Sequence, residues 1–518
     1  MNTLSTQVLI IGGGATGTGI ARDLALRGIK CILAEQKDLN AGASGANHGL
    51  LHSGARYASD DAETASECKE EGDILKRLAP ECVDSKGGIF VAVEGDNEEY
   101  IANFDSFCKR AGLPCRRLDI QEAREMEPLL SPNMIAAYET EDASVDPFKL
   151  SAENMHHAQD LGSTLLRHTQ VVGFNKSNNR IQTAQLLDMR TGKTILVEPE
   201  IVVNASGAWA GIIAAQAAAP IELLFSKGTL MITAERLTQR VINRLRKASD
   251  ADILVPGGAV SVIGTTSIRI STLDDIRPTV EEVNFILEEG SQMVPSLKTT
   301  RYIRAYAGVR PLVKTKAVTD DRSVSRGFAL IDHSSDNVDN FVSITGGKLT
   351  TFRLMAEKTS DMVCKKLNIK APCKTKEVPL PTSHAGQWTE PAKGPKQWIM
   401  GYNPTDSLLC DCEMVSKIAF DHIIDAIKEQ DPMPDLIGIG IRSRMGKGPC
   451  QGCFCSARIA GRLYERDMLH HDQGIQEIRA FLEERWRGLR PILIGEQLMQ
   501  AEMTEALYCG FMCLEFLK

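Results

Sequence analysis

Gln7-Val8-Leu9-Ile10-Ile11 is a short apolar β run that breaks at Gly12 into a glycine turn ending at Gly17. Ile20 to Leu26 continues with helical spacing and is ended by Gly28, and Lys30 to Glu35 forms a second strand. Strand, glycine turn, helix and strand in that order predict a β-α-β unit and a parallel sheet, the start of a doubly wound domain. From about 60 to 146 the pattern is helical and polar, and a buried strand returns at Ile201-Val202-Val203-Asn204, ending in the turn Ala205-Ser206-Gly207. Between Leu223 and Arg301 short strands surround a helical stretch at Thr279 to Met293, the composition of an inserted second domain. Val342-Ser343-Ile344-Thr345, then Gly346-Gly347 and an apolar-periodic helix, lead back to the first domain, which is therefore expected to be discontinuous.

Residues 374–405 hold five prolines, four lysines and three glycines with weak periodicity, which predicts an exposed linker. Beyond it lie a cysteine-rich stretch and then helical segments from Gln473 onward.

At 518 residues the chain is too long for one core and should form roughly three or four domains. Its 43% hydrophobic and 24% charged residues exclude a disordered or fibrous plan. A net charge of -8 gives no broad basic field, so nucleic acid is not expected as a partner. No apolar run reaches the roughly 18 residues of a membrane span. The N-terminal residues lack a basic region followed by an apolar core and cleavage site, so a cytoplasmic location is expected. The fourteen cysteines then read as thiols or metal ligands, not as a disulfide framework.

Gly12-Gly13-Gly14-Ala15-Thr16-Gly17 fits G-x-G-x-x-G between a strand and a helix, where backbone N–H groups and the helix dipole favour a pyrophosphate. Glu35, 18 residues after Gly17, is placed to accept hydrogen bonds from an adenosine ribose and to repel a 2′-phosphate. The polar, glycine-rich segment from Ser44 to Tyr57 follows, and its glycines allow backbone to approach a flat ring system.

The segments Asn47-His48-Gly49-Leu50-Leu51-His52-Ser53-Gly54-Ala55-Arg56-Tyr57, Ala307-Gly308-Val309-Arg310-Pro311-Leu312 and Thr345-Gly346-Gly347-Lys348-Leu349-Thr350-Thr351-Phe352-Arg353 resemble the FAD-dependent glycerol-3-phosphate dehydrogenase family. The similarity extends to the cysteine region and to Arg485-Trp486-Arg487-Gly488-Leu489-Arg490-Pro491, as in the large catalytic subunits of the family's anaerobic members. It implies an α/β fold: a glutathione-reductase-like FAD-binding Rossmann domain with a D-amino-acid-oxidase-like α+β substrate domain, a small C-terminal [2Fe-2S] domain and a helical tail. The expected FAD-dependent region is 1–373, with cofactor pieces at about 1–60, 150–222 and 302–373 and substrate pieces at about 61–149 and 223–301. The linker 374–405, a cluster domain at 406–462 and a helical segment at 463–518 follow.

The resemblance also implies FAD bound by Gly12, Gly14, Gly17, Glu35, Ser44, Asn47, Leu50, Val172, Gly207, Gly347, Lys348 and Leu349. Arg56 and Arg310 can present planar donors to a phosphate, and Lys348 adds a compact charge. Gly346-Gly347 ahead of a helix offers N–H groups to the flavin edge or to substrate. Oxidising a secondary alcohol requires removal of its hydroxyl proton while hydride leaves carbon for the flavin, so a base must lie within reach. His52 is the first candidate and His48 the second. Some relatives carry a histidine where this chain reads Ser226-Lys227-Gly228-Thr229, a departure that bears on the base.

Cys410-Asp411-Cys412, 37 residues and then Cys450-Gln451-Gly452-Cys453-Phe454-Cys455 suit zinc or an iron–sulfur cluster. The resemblance to domains similar to bacterioferritin-associated ferredoxin implies a [2Fe-2S] cluster on Cys410, Cys412, Cys450 and Cys455, while Cys453 adds a competing C-x₂-C. The implied activity is oxidation of sn-glycerol 3-phosphate to dihydroxyacetone phosphate. Electrons would pass through the cluster to partner subunits, among them an iron–sulfur subunit leading to membrane quinone, with this chain peripheral at the inner face of the cytoplasmic membrane. The alternatives are an FAD-dependent dehydrogenase of another hydroxy acid or an amine, and a non-catalytic FAD and iron–sulfur electron-transfer protein.

Overall fold

The computed structural model describes residues 2–274, 276–313, 327–429, 434–493 and 495–514. The opening strand, Asn2–Ile11, lies between Cys31–Ala34 and Thr194–Asn204, parallel to both. Thr164–Leu166 and Phe341–Gly346 extend this parallel arrangement on either side, in a sheet of eight strands among the described residues. Alternation along the first strand divides its side chains between two cores. Val8 and Ile10 pack with Ile20, Leu24, Met155 and Met355, contributed by the helices Ala15–Leu26, Pro147–Asp160 and Phe352–Lys366. Leu9 and Ile11 join Val202, Ala214 and Phe341 on the other face.

A second, nine-stranded sheet carries the substrate-side pieces, with the helix Val280–Met293 packed on it through Val283, Ile286 and Met293. That helix opens with a full capping box between Thr279 and Glu282, which satisfies N–H groups that a helix start leaves unbonded. The expected boundary at 302 is displaced. Tyr302–Val313 pairs antiparallel with Leu223–Thr233 throughout, so it belongs to the second sheet and carries Arg310 there. Residues 314–326 of that expected piece lie outside the described residues, as do 430–433 and 515–518 farther on.

A third core gathers Trp388, Phe420, Ile424, Leu463 and Phe481 around the buried Cys410 and Cys455. The expected exposed linker 374–405 is not exposed throughout: Thr375, Gly386, Trp388 and Thr389 are buried. A Cβ at Gly386 would overlap Glu153, so the turn is seated against the helix Pro147–Asp160, and Trp388 fills the third core. Proline-rich composition hides these few anchoring residues. The tail also returns to the second sheet, where the Ala305 N–H donates to Gly488 O at 2.8 Å and Ile492 is buried.

Candidate dinucleotide and substrate site

A cavity of about 580 Å³ runs from the glycine turn to the second sheet. At its first end Gly12 has φ +111°, and a Cβ there would stand 2.6 Å from Ala205 O, so only glycine fits this crossing of backbones. The Glu35 carboxylate accepts from Gly13 N–H at 2.7 Å and Lys37 N–H at 2.9 Å, and burial raises its pKa. Ser44 Oγ accepts from Ala15 N–H at 3.0 Å and lies close beside Gly14, tying the following loop to the helix start. Asn47 braces the same loop, donating to Ser44 O at 2.6 Å and accepting from Gly49 N–H at 2.7 Å.

Gly12, Gly14, Glu35, Ser44, Asn47, Leu50, Gly207, Gly347, Lys348 and Leu349 all line the cavity. Gly17 does not: it lies one helical turn in, where a Cβ would clash with Gly12 O, so its part is close packing of helix on strand. Val172 is a correction. It is 40% exposed, and its buried neighbour Val171 forms the wall instead. The strand bulges between Val171 and Gly173, and a shift of one residue exchanges the two faces of a strand. Gly347 N–H is also used internally, donating to Gly327 O at 3.0 Å.

His48, His52, Arg56, Arg310 and Lys348 line the other end together. Arg56 donates through Nη2 to Ser249 O at 2.9 Å and to the buried Asp252 at 3.3 Å, while its buried Nη1 has no partner. Arg310 is held by Thr266 O at 3.2 Å and by the Thr265 hydroxyl, and the missing side chain of Gly228 makes room for its guanidinium. Lys348 Nζ lies 5.0 Å from the centre of the Tyr57 ring. The Tyr57 hydroxyl stands 3.3 Å from His52 Nε2, and the two rings pack at 5.1 Å.

His48 differs from His52. Its buried Nδ1 has no partner, and burial together with the charges of Arg310 and Arg56 lowers its pKa to about 3. Buried polar atoms without partners are uncommon, and two of them in one cavity wall, His48 Nδ1 and Arg56 Nη1, fit a polar, anionic ligand. In the Ser226 to Thr229 segment, Ser226 Oγ meets Ser267 Oγ at 2.9 Å in the wall, whereas Lys227 turns away to Glu282 at 2.8 Å. Asp252, Thr265, Thr266 and Ser267 are neighbours of the site that sequence reasoning misses, because they come from the connections beside distant strands with no local motif.

The cysteines form a separate centre. All are free thiols: Cys410 and Cys455 are buried in the third core, and interaction with the neighbouring thiols Cys455 and Cys412 lowers the pKa of Cys410 and of Cys450, whereas burial raises that of Cys453. Among the described residues no group of three or more His, Cys, Asp or Glu side chains is arranged to hold a metal ion. Cys410, Cys412, Cys450 and Cys455 are free thiols, the donor type that a [2Fe-2S] cluster takes four of.

The family model described as FAD dependent oxidoreductase matches residues 7–362. The chain is 42% identical to an anaerobic glycerol-3-phosphate dehydrogenase subunit of Escherichia coli (strain K12), over 99% of this chain and 97% of that one. It is 40% identical to the protein of the same name from Haemophilus influenzae, over 100% and 95%. A solved structure of the Bacillus halodurans glycerol-3-phosphate dehydrogenase complexed with FAD is similar in fold, with a TM-score of 0.65 at 21% identity, covering 95% of this chain and 96% of that one.

Proposed function

Because the chain belongs to the FAD-dependent oxidoreductases, and within them to the subunits of anaerobic glycerol-3-phosphate dehydrogenase, we propose that it oxidises sn-glycerol 3-phosphate to dihydroxyacetone phosphate with FAD. The observation that carries the substrate assignment is the pair Arg56 and Arg310 on the wall of a cavity whose far end is a dinucleotide turn. Gly12, Gly14 and the start of the helix Ala15–Leu26 would hold the pyrophosphate, Glu35 would take the ribose hydroxyls, and the loop from Ser44 to Leu50 with Gly207 and Gly347 to Leu349 would line the ring's place in the cavity. When bound, FAD supplies a two-electron acceptor.

Arg56 and Arg310 hold the phosphate, with Lys348 adding charge beside them. His52 takes the proton of the C2 hydroxyl, its ring oriented by the Tyr57 hydroxyl. His48 is the weaker base, because a group whose pKa is about 3 has little affinity for an alcohol proton near neutral pH. Its Nδ1 is suited to accept a hydrogen bond from the ligand.

Cys410, Cys412, Cys450 and Cys455 would hold a [2Fe-2S] cluster, which would supply an exit for the two electrons; the support is their free thiols, with Cys410 and Cys455 sharing one core. The electrons pass to partner subunits, including an iron–sulfur subunit leading to membrane quinone, and the chain is peripheral to the membrane. Among the described residues no helix is long and apolar enough to cross a membrane. An anaerobic visible spectrum before and after glycerol 3-phosphate tests the reading. Bleaching of the flavin with this substrate, and not with lactate, 2-hydroxyglutarate or glycine, is the expected result. Bleaching by one of the other three alone would reassign the substrate.

A further inference from the structure

The last long helix, Glu496–Met512, presents its faces the wrong way round for a helix that ends its packing on this chain. Gln497, Ala501, Thr504 and Tyr508 form the half-buried side towards the protein. Met499, Met503, Leu507 and Phe511 stand in one row on the solvent side, 63%, 64%, 58% and 86% exposed. Their spacing of four places them along a single ridge. Scattered exposed apolar residues need no explanation, but a continuous ridge of four does.

The charges of the helix select among possible occupants. It carries Glu496, Glu502 and Glu505 and no Lys or Arg. Helices that lie on anionic lipid carry basic polar faces, so this one is repelled where a membrane helix would be drawn in. A protein groove with an apolar floor and a basic rim matches both features, and methionines adapt readily to such grooves.

The helix also lies against the cysteine centre. Tyr508 packs edge-on to Trp486 at 5.8 Å, and both pack against the third core, which contains Cys410 and Cys455. We infer that the ridge Met499, Met503, Leu507 and Phe511 is the docking surface for an electron-accepting partner protein, seated as a helix in a basic-rimmed apolar groove beside the cysteine centre. The inference rests on the proposed function for the electron exit. Each substrate oxidised releases two electrons and two protons, and the partner's own redox centre is the oxidant that takes the electrons.

The test uses the full chain loaded with FAD and iron, and the variant Met503→Glu with Leu507→Glu. The partner is the iron-containing polypeptide that copurifies stoichiometrically with tagged wild-type chain from its own cells, purified and recombined with either chain. Reduction of a soluble dye by glycerol 3-phosphate should be equal in the two chains. Binding of the partner and its reduction by glycerol 3-phosphate should fall at least about tenfold in the variant, as expected when two buried apolar contacts become charges. Equal partner binding by both chains would overturn the inference, as would wild-type chain with no such polypeptide attached. A wild-type dimer in sedimentation that the variant turns to monomer would assign the ridge to a second copy. Flotation of wild type but not variant with phosphatidylglycerol vesicles would assign it to lipid. Absence of dye reduction in the wild type would sink the functional reading itself, and the inference with it.

Discussion

Arg442 clamps Asp38 with both terminal nitrogens, at 2.8 and 2.9 Å, and so ties the cysteine-bearing unit to the loop that follows Glu35. Arg167 joins the same carboxylate at 2.5 Å, and all three side chains are nearly inaccessible. Burial alone would raise the Asp38 pKa, but Arg442 and Arg167 outweigh it and hold the carboxyl well below the ordinary range. Asp38→Asn should therefore destabilise the protein by about 3–5 kcal/mol at neutral pH, because two arginines lose their buried counter-charge. A depressed folded pKa gives stability that is fully present above the ordinary value of 3.8 and is lost as pH falls further towards the folded value. Melting curves should show a gap between wild type and variant at pH near 7 that narrows in stronger acid. A constant gap would show that the carboxylate charge is not what holds the units.

The phosphate clamp predicts a separation of substrate handling from cofactor binding. Arg56→Ala and Arg310→Ala should each lower kcat/KM for glycerol 3-phosphate about ten- to a hundredfold, because a charge-assisted hydrogen bond is worth roughly 1.5–3 kcal/mol. Bound flavin should be unchanged. Asp252 keeps Arg246 at 2.7 Å when Arg56 is removed, so the wall should survive. Unaltered steady-state kinetics in both variants would remove the clamp.

For the cofactor, Glu35→Ala and Gly14→Val should yield protein with little FAD. The first change removes the ribose acceptor, and the second drives a branched side chain into Ser44 Oγ, which already lies 2.9 Å from where a Cβ at Gly14 would stand. Absorbance of the purified variants gives the answer directly, and full flavin occupancy in both would mean the dinucleotide lies elsewhere.

The two histidines should separate in the first half-reaction. His52→Gln is expected to slow flavin reduction by roughly 10²- to 10⁴-fold, the usual contribution of a positioned base. His48→Gln should act mainly on KM. Since burial and the neighbouring arginines lower the His48 pKa to about 3, the free enzyme keeps this ring neutral down to acid pH, and its loss should not alter the shape of the kcat/KM profile near neutrality. A pH limb that disappears in His48→Gln would exchange the two roles.

How much of this is legible in the sequence depends on how local each feature is. The glycine turn, Glu35 and the loop from Ser44 to Tyr57 are contiguous segments whose backbone demands select residue types, and they meet in one cavity. Val172 is expected where Val171 stands because a bulge sets the phase of that strand, and a run of similar β residues carries no mark of it. Asp252, Thr265 and Thr266 escape notice for a different reason: they serve Arg56 and Arg310 from connections far apart from them in the chain. The apolar pattern of Tyr302–Val313 suits either sheet, and only its pairing with Leu223–Thr233 decides between them.

The fifth thiol gives the sharpest separation of alternatives. Sequence spacing allows either a C-x₂-C pair, Cys450 with Cys453, or a C-x₄-C pair, Cys450 with Cys455. In the folded chain Cys455 and Cys410 are buried in the same core, while Cys453 is only partly buried and is not a member of it. Cys453→Ser should therefore retain iron and pass electrons from flavin to cluster. Cys455→Ser should lose or destabilise the cluster, because a hydroxyl replaces a thiolate at a buried position among the ligands. Flavin bleaching by glycerol 3-phosphate should be intact in both, since substrate chemistry is confined to the cavity lined by Arg56, His52 and Arg310 and needs no thiol. Iron analysis and single-turnover spectra together read the two centres independently. Loss of iron in Cys453→Ser with retention in Cys455→Ser would reverse the ligand assignment. Zinc without iron in anaerobically purified wild type would be more damaging, because a metal with no redox chemistry leaves the flavin electrons without their exit.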